Sequence, residues 1–154
     1  METSGGYLIS CIKHTSTRIF DRMLAEADIG AFNGAQGRIL YVLWQDNGLS
    51  ISQLSARTRL ANTTLTSMLD RMEAGGLIER KPSPRDRRSF LITLTDKALG
   101  LQKEYDAISE KMNKLFYQGF TEEEIHRFEG YLTRVLVNLE GEENHEENFS
   151  SGHQ

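Results

Sequence analysis

Arg85-Asp86-Arg87-Arg88 follow the only two prolines of the chain, Pro82 and Pro84. Three arginines at one turn have no reason to enter a core. Their planar, permanently charged forks suit phosphate oxygens. Upstream, Thr63, Thr64, Thr66, Ser67 and Arg71 alternate with Leu65, Met68, Leu69 and Met72. The apolar residues fall at helical spacing and make one face. The polar ones are mostly short and fall largely on other faces, so they can approach a phosphate or a base edge without steric trouble. The chemistry these two groups offer is recognition of a nucleic-acid backbone and groove.

The elements that must position them are legible on either side. Asn62 to Ala74 reads as a helix, with Asn62 placed to cap it. Gly75-Gly76 stops it, because glycine takes the left-handed conformation of a helix end at low cost. Leu77 to Lys81 reads as a strand, the prolines as a turn, and Phe90 to Thr93 as the returning strand. A helix followed by a hairpin with a basic tip is a winged helix-turn-helix. Its helix is shaped for a major groove and its tip for the adjacent backbone or minor groove.

The segment LSISQLSARTRLANTTLTSMLDRMEAGGLIERKPSPRDRRSFLITLTDKA resembles the multiple-antibiotic-resistance regulator (MarR) family of bacterial and archaeal repressors. The similarity is densest in LTSMLDRMEAGGLIER and in the wing, where Asp86-Arg87-Arg88 precede an apolar strand and Leu94-Thr95. With the flanking helices it covers roughly Gly6 to Leu139. Ser67 stands where the family often has a basic residue, and Ala98 where it often has glycine.

The resemblance implies a cytoplasmic homodimer that binds double-stranded DNA at a near-palindromic operator, regulates transcription as a repressor, and is released by a ligand. The implied DNA-binding set is Ser52, Arg57, Asn62, Thr63, Thr64, Thr66, Ser67, Arg71, Arg85, Asp86, Arg87 and Arg88. Asp86 is expected to hold Arg88, two residues on and on the same side of an extended wing, while Arg87 and Arg88 diverge. The resemblance also implies a pocket between the dimer helices and the winged lobe for a small hydrophobic or aromatic ligand. His14, Thr15, Arg18, Tyr41, Trp44 and Met68 are the residues that could line it. Some relatives sense peroxides through a lone cysteine near the start of the first helix. That makes a thiol-based redox regulator acting through Cys11 one alternative. Cys11 packed as a small hydrophobe is the plainer reading. A winged helix serving as a protein-interaction module is a further alternative, but it would have no need of three arginines at its tip.

The rest of the chain supplies mainly helical scaffold. A first helix is expected over 4–27, with Leu8, Ile12, Thr15, Ile19 and Met23 in helical register and Gly30 marking the break after it. A second starts at Asn33, with Gln36 three residues on and Phe32 placed as a hydrophobic staple. It ends at Asn47-Gly48. Ser50 and Gln53 repeat the capping pattern before a helix over Ile51 to Thr58. Thr95 caps the next helix, with Asp96 in its first turn and a stripe from Leu101 to Phe120. At about 24 residues it would be near 36 Å long, more than one small lobe can cover. Thr121 and Glu124 form another capping box, and Ile125, Phe128, Leu132, Val135, Leu136 and Leu139 form the last stripe. Residues 141–154 are polar, acidic and aperiodic, the signature of disorder. The expected organisation is one domain over 1–140. The winged lobe occupies 33–94, dimerisation helices occupy 4–28 and 95–140, and the acidic tail follows.

The formal net charge of −4 would by itself argue against a nucleic-acid partner, but its distribution reverses that reading. Residues 50–95 carry eight Lys/Arg against four Asp/Glu, whereas residues 96–154 carry six against thirteen. Positive charge collects where the winged helix lies. The single cysteine excludes an intrachain disulfide. His14, His126, His145 and His153 are scattered, and there is no metal motif, phosphate-cradling loop or nucleophile elbow. Neither an enzyme nor a cofactor protein is expected. No apolar run is long enough to span a membrane, and the start of the chain lacks the features of a secretory signal.

Overall fold

The computed structural model describes residues 1–27, 29 and 33–150, with side chains to residue 145. Six helices and one two-stranded antiparallel sheet follow in the order α1 (Gly5–Glu26), α2 (Gly34–Gln45), α3 (Ile51–Thr58), α4 (Asn62–Ala74), β1 (Ile78–Pro82), β2 (Phe90–Leu94), α5 (Asp96–Phe116) and α6 (Glu122–Ser150). The mainly helical winged helix-turn-helix anticipated from the sequence is the fold observed. The chain divides into two compact units, Met1–Asn113 and Lys114–Gln154.

The first unit is built on α2. Ile39, Leu40 and Leu43 are fully buried, and they share a core with Leu54, Leu65, Leu69, Met72, Leu77, Ile78 and Ile92. Burying such a side chain contributes about 1.5–3 kcal/mol, which is why this helix reads as nearly continuous apolar sequence. Asn33 caps it by accepting from the Gln36 amide at 2.9 Å. Asp21 of α1 accepts from the Gly34 amide at 2.7 Å, so a carboxylate sits at the positive end of α2. Both halves of the Ser50/Gln53 capping box form. The connection to α4 is tight because Arg59 takes a left-handed conformation.

The hairpin pairs Ile78 with Leu94, Arg80 with Ile92 and Pro82 with Phe90. A short bridge from Leu49 to Ile92 ties it to the segment before α3, with the Ile92 amide donating to the Leu49 carbonyl at 2.7 Å. Asn47 secures the strand end by accepting from the Leu94 amide at 2.9 Å.

Three expectations need correction. Asn62 is not the cap of α4. Ala61 occupies that position and makes no side-chain bond, because extended backbone at Ala61 carries the chain into the helix one residue early. Asn62 is instead the first helical residue, and its carbonyl accepts from Thr66 Oγ1. At the other end of α4 the glycine pair stops the helix as expected, with Gly76 left-handed just past the cap at Gly75. The fifth helix ends at Phe116 rather than Phe120. Gly119, at φ 84°, turns the chain there, and at 21 residues the helix is about 31 Å long. Residues 141–150 are not aperiodic coil but the end of α6. Gly30 and Phe32 lie outside the described residues.

In the second unit, Thr121 and Glu124 exchange the expected capping bonds at 2.8 and 3.2 Å. Tyr117 packs edge-on against Phe120 and Phe128 and donates to Glu129 Oε1 at 2.8 Å. Burial together with that carboxylate pushes its pKa up to about 12. Tyr131, Val135, Val137 and Leu139 remain exposed on α6.

Candidate nucleic-acid interface

Helix α4 separates its faces as its sequence requires. Leu65, Met68, Leu69 and Met72 are buried, while Asn62, Thr63, Thr64, Thr66, Ser67 and Arg71 are exposed. Arg71 Nη2 donates to Ser67 Oγ at 3.2 Å, one turn earlier. Ser67 therefore holds a basic side chain on the face where it does not supply one. Ser52 and Arg57 are exposed on α3, and Arg57 is engaged with Asp46 at 3.2 Å.

The wing tip is a closed turn rather than extended strand, so strand alternation does not decide where its arginines point. The Ser83 amide donates to the Ser89 carbonyl at 3.0 Å, and the Ser89 amide to the Asp86 carbonyl at 3.2 Å. Asp86 does hold Arg88, but through the main chain. Its Oδ1 accepts from the Arg88 amide at 3.0 Å. An aspartate mimicking a backbone turn two residues on is the usual local use of that side chain. With the carboxylate spent on the backbone, Arg85, Arg87 and Arg88 are all exposed around a fixed loop. Asp86→Ala should therefore speed hydrogen exchange at the Arg88 amide by about fivefold, the value of one ordinary bond of roughly 1 kcal/mol. Asp86→Asn keeps an acceptor oxygen and should leave exchange unchanged. Equal exchange in parent and alanine variant would remove the turn-closing role.

One position at this surface was not anticipated. Arg80 of β1 places Nη2 2.7 Å from Asp70 Oδ1 and Nη1 2.9 Å from Glu73 Oε2. Both partners belong to α4, so a single guanidinium joins wing to helix. Burial works against its charge, but the two carboxylates outweigh that and raise its pKa further above the ordinary arginine value. The signal was available. Arg80 shares a strand face with Ile78, across from Ile92 and Leu94, where an arginine needs acceptors. Asp70 and Glu73, three residues apart, share a helix face and supply them.

The six residues expected to line a pocket are differently placed. Met68 belongs to the core. Trp44 donates its indole N–H to the Ala98 carbonyl at 3.0 Å and packs against Tyr105. Tyr41 is half exposed, and His14, Thr15 and Arg18 are exposed on α1, as is Cys11. Among the described residues there is no cluster fit for a metal ion, and no helix is long and apolar enough to cross a membrane.

A hairpin with a basic tip, fastened beside a helix with a polar outer face, defines a winged helix-turn-helix. The MarR family model matches residues 32–90, the stretch that carries α2 to α4 and most of the wing. Its likeness to the HTH-type transcriptional regulator TtmR of Methylorubrum extorquens is 32% identity, covering 66% of this chain and 51% of that protein. With the organic hydroperoxide resistance transcriptional regulator of Bacillus subtilis, identity is 46%, covering 44% of this chain and 46% of the relative. The match thus spans about half the length of each of these relatives. The Staphylococcus aureus MepR–DNA complex superposes with a TM-score of 0.79 at 26% identity, covering 90% of this chain and 99% of that one.

Proposed function

We propose that the protein is a homodimeric transcriptional regulator that binds a near-palindromic operator, represses from it, and lets go when a small hydrophobic or aromatic ligand binds. The observation that carries this reading is the exposed polar face of α4 fastened beside an exposed turn holding three arginines. On this account Thr63, Thr64, Thr66, Ser67 and Arg71 meet the major groove. Arg85, Arg87 and Arg88 meet the flanking backbone or minor groove, with Ser52 and Arg57 beside them. The family resemblance and the solved DNA complex of a relative support the partner.

Exposed apolar side chains support the dimer. Tyr7, Leu8, Ile9 and Ile12 lie open on α1, and Tyr131, Val135, Val137 and Leu139 on α6. Apolar surface of this extent on terminal helices marks an interface. A two-fold pair would set two α4 helices about one DNA turn apart, roughly 34 Å. A ligand acts by preferring a dimer geometry whose spacing misfits successive grooves, and its effect is limited to that preference. His14, Thr15, Arg18 and Tyr41, exposed in one protomer, are the side chains available to such a ligand at the dimer-facing side.

Two measurements test the reading. Selection from a random-sequence duplex pool should return a sequence with two-fold symmetry and half-sites about ten base pairs apart. Sedimentation at micromolar concentration should give a dimer. Recovery of no preferred sequence, or a stable monomer, would refute it.

A further inference from the structure

We propose that Arg80 is the positioning residue that fixes the wing to the recognition helix, so that base-reading and backbone-reading groups meet DNA as one rigid body. The inference rests on the DNA-binding reading above and adds a device to it. The geometry is a planar fork closed on both sides. One Arg80 nitrogen bonds Asp70 and the other bonds Glu73, at 2.7 and 2.9 Å. The two carboxylates sit one turn apart on α4, and the arginine stands midway along β1. Among the described residues no other side-chain bond joins that helix to the strands. The remaining ties at this corner, from Thr95 and Lys97, reach the Gly75-Gly76-Leu77 backbone instead.

Arg80 is the least exposed charged side chain of the hairpin, its side chain 21% accessible, against 61% for Lys81. It is poorly placed to reach phosphate itself. Its charge is spent on two carboxylates that would otherwise stand bare on the helix proposed to enter a groove, where they would repel the DNA backbone. The fork therefore does two things. It sets the wing angle, and it neutralises part of the negative charge of α4. Lysine could do only part of this, since a point charge cannot hold two carboxylates in a planar fork.

Three variants separate positioning from phosphate contact: Arg80→Gln, Arg80→Lys, and the double substitution Asp70→Asn with Glu73→Gln. Each is titrated against the selected operator and a scrambled duplex over a range of salt, with melting temperature as a control. If Arg80 positions, Arg80→Gln lowers the operator-to-scrambled affinity ratio by about tenfold, the sum expected for two exposed ion pairs. The log–log salt slope stays unchanged. The double variant also loses preference, although it removes two negative charges, and Arg80→Lys falls between. If Arg80 contacts phosphate, the slope drops by about one, both duplexes weaken together, and the double variant binds more tightly. That pattern would overturn the proposal.

A DNA-free readout keeps the two levels of inference apart. Spin labels at Thr66→Cys and Ser83→Cys, in a Cys11→Ser background diluted with unlabelled chain, report the distance from wing tip to α4. The distance distribution should broaden in the glutamine and double variants. An unchanged distribution would refute the lock even if the parent protein proved to have no preferred DNA sequence, whereas absence of that preference alone would refute only the function proposed above.

Discussion

Arg85→Ala combined with Arg87→Ala is expected to weaken operator binding by about a hundredfold at moderate salt. Each exposed arginine that meets a phosphate makes a charge-assisted bond worth roughly 1.5 kcal/mol at the low end, and two of them give about 3 kcal/mol. Neither side chain is needed to close the turn. The closing bonds run from the Ser83 amide to Ser89, from the Ser89 amide to Asp86, and from the Arg88 amide to the Asp86 carboxylate. The double variant should thus melt with the parent protein. Its log–log salt slope should be shallower by about two, close to 0.9 per lost contact, and the loss should be the same on operator and scrambled DNA. Fluorescence anisotropy against salt gives both numbers. A loss confined to the operator would mean these arginines read sequence. An unchanged slope would mean the wing does not reach DNA.

The wing also shows where sequence reading stops. Its existence was legible, because two prolines, a charge run and two apolar strands leave few alternatives to a hairpin. Its internal geometry was not. Whether Asp86 bonds a guanidinium or an amide depends on backbone dihedrals at the tip, and strand alternation gives the wrong answer once residues 83–89 leave the strand. The same limit applies at Ala61. A capping residue one position downstream was the better candidate by type, yet the path out of α3 put alanine at the cap. Capping boxes at Ser50 and Thr121 were legible because both reciprocal partners are encoded at fixed spacing. The end of α6 was missed for a different reason. Residues 141–150 carry no apolar stripe, and a periodicity argument is silent without one. Glutamates, however, are good helix formers and can extend a helix already nucleated. The Arg80 fork is hard to read in the sequence because its partners lie on another element, and the fold must bring helix and strand together before they meet.

The second large effect concerns the scaffold that carries α4, and it is read from Gly37. This residue is buried on α2, and a Cβ added there would lie 2.8 Å from the ring of Tyr105 on α5. That is well inside van der Waals contact, so something must move. Tyr105 has little room to retreat. Its ring meets the edge of Phe20 at 5.6 Å and lies tilted against Trp44 at 5.0 Å. Trp44 is itself fastened to the Ala98 carbonyl. Overpacking of this kind costs about 1–3 kcal/mol for a small addition. Alanine would recover up to about 1 kcal/mol through its better helix propensity, so Gly37→Ala should lose only about 0–2 kcal/mol. Gly37→Val has more volume and a stiff β-branch, and it should lose about 3 kcal/mol or more. For a chain of this size that lowers the melting temperature by about 6–12 °C. The cause can be separated from a generic core defect by pairing each change with Tyr105→Leu. If the ring is what the new methyl meets, the paired losses fall short of the sum of the single ones by about 1 kcal/mol or more. Additive losses, or a Gly37→Ala protein that melts above the parent, would show that Tyr105 yields freely and that the aromatic cluster is not the rigid stop described.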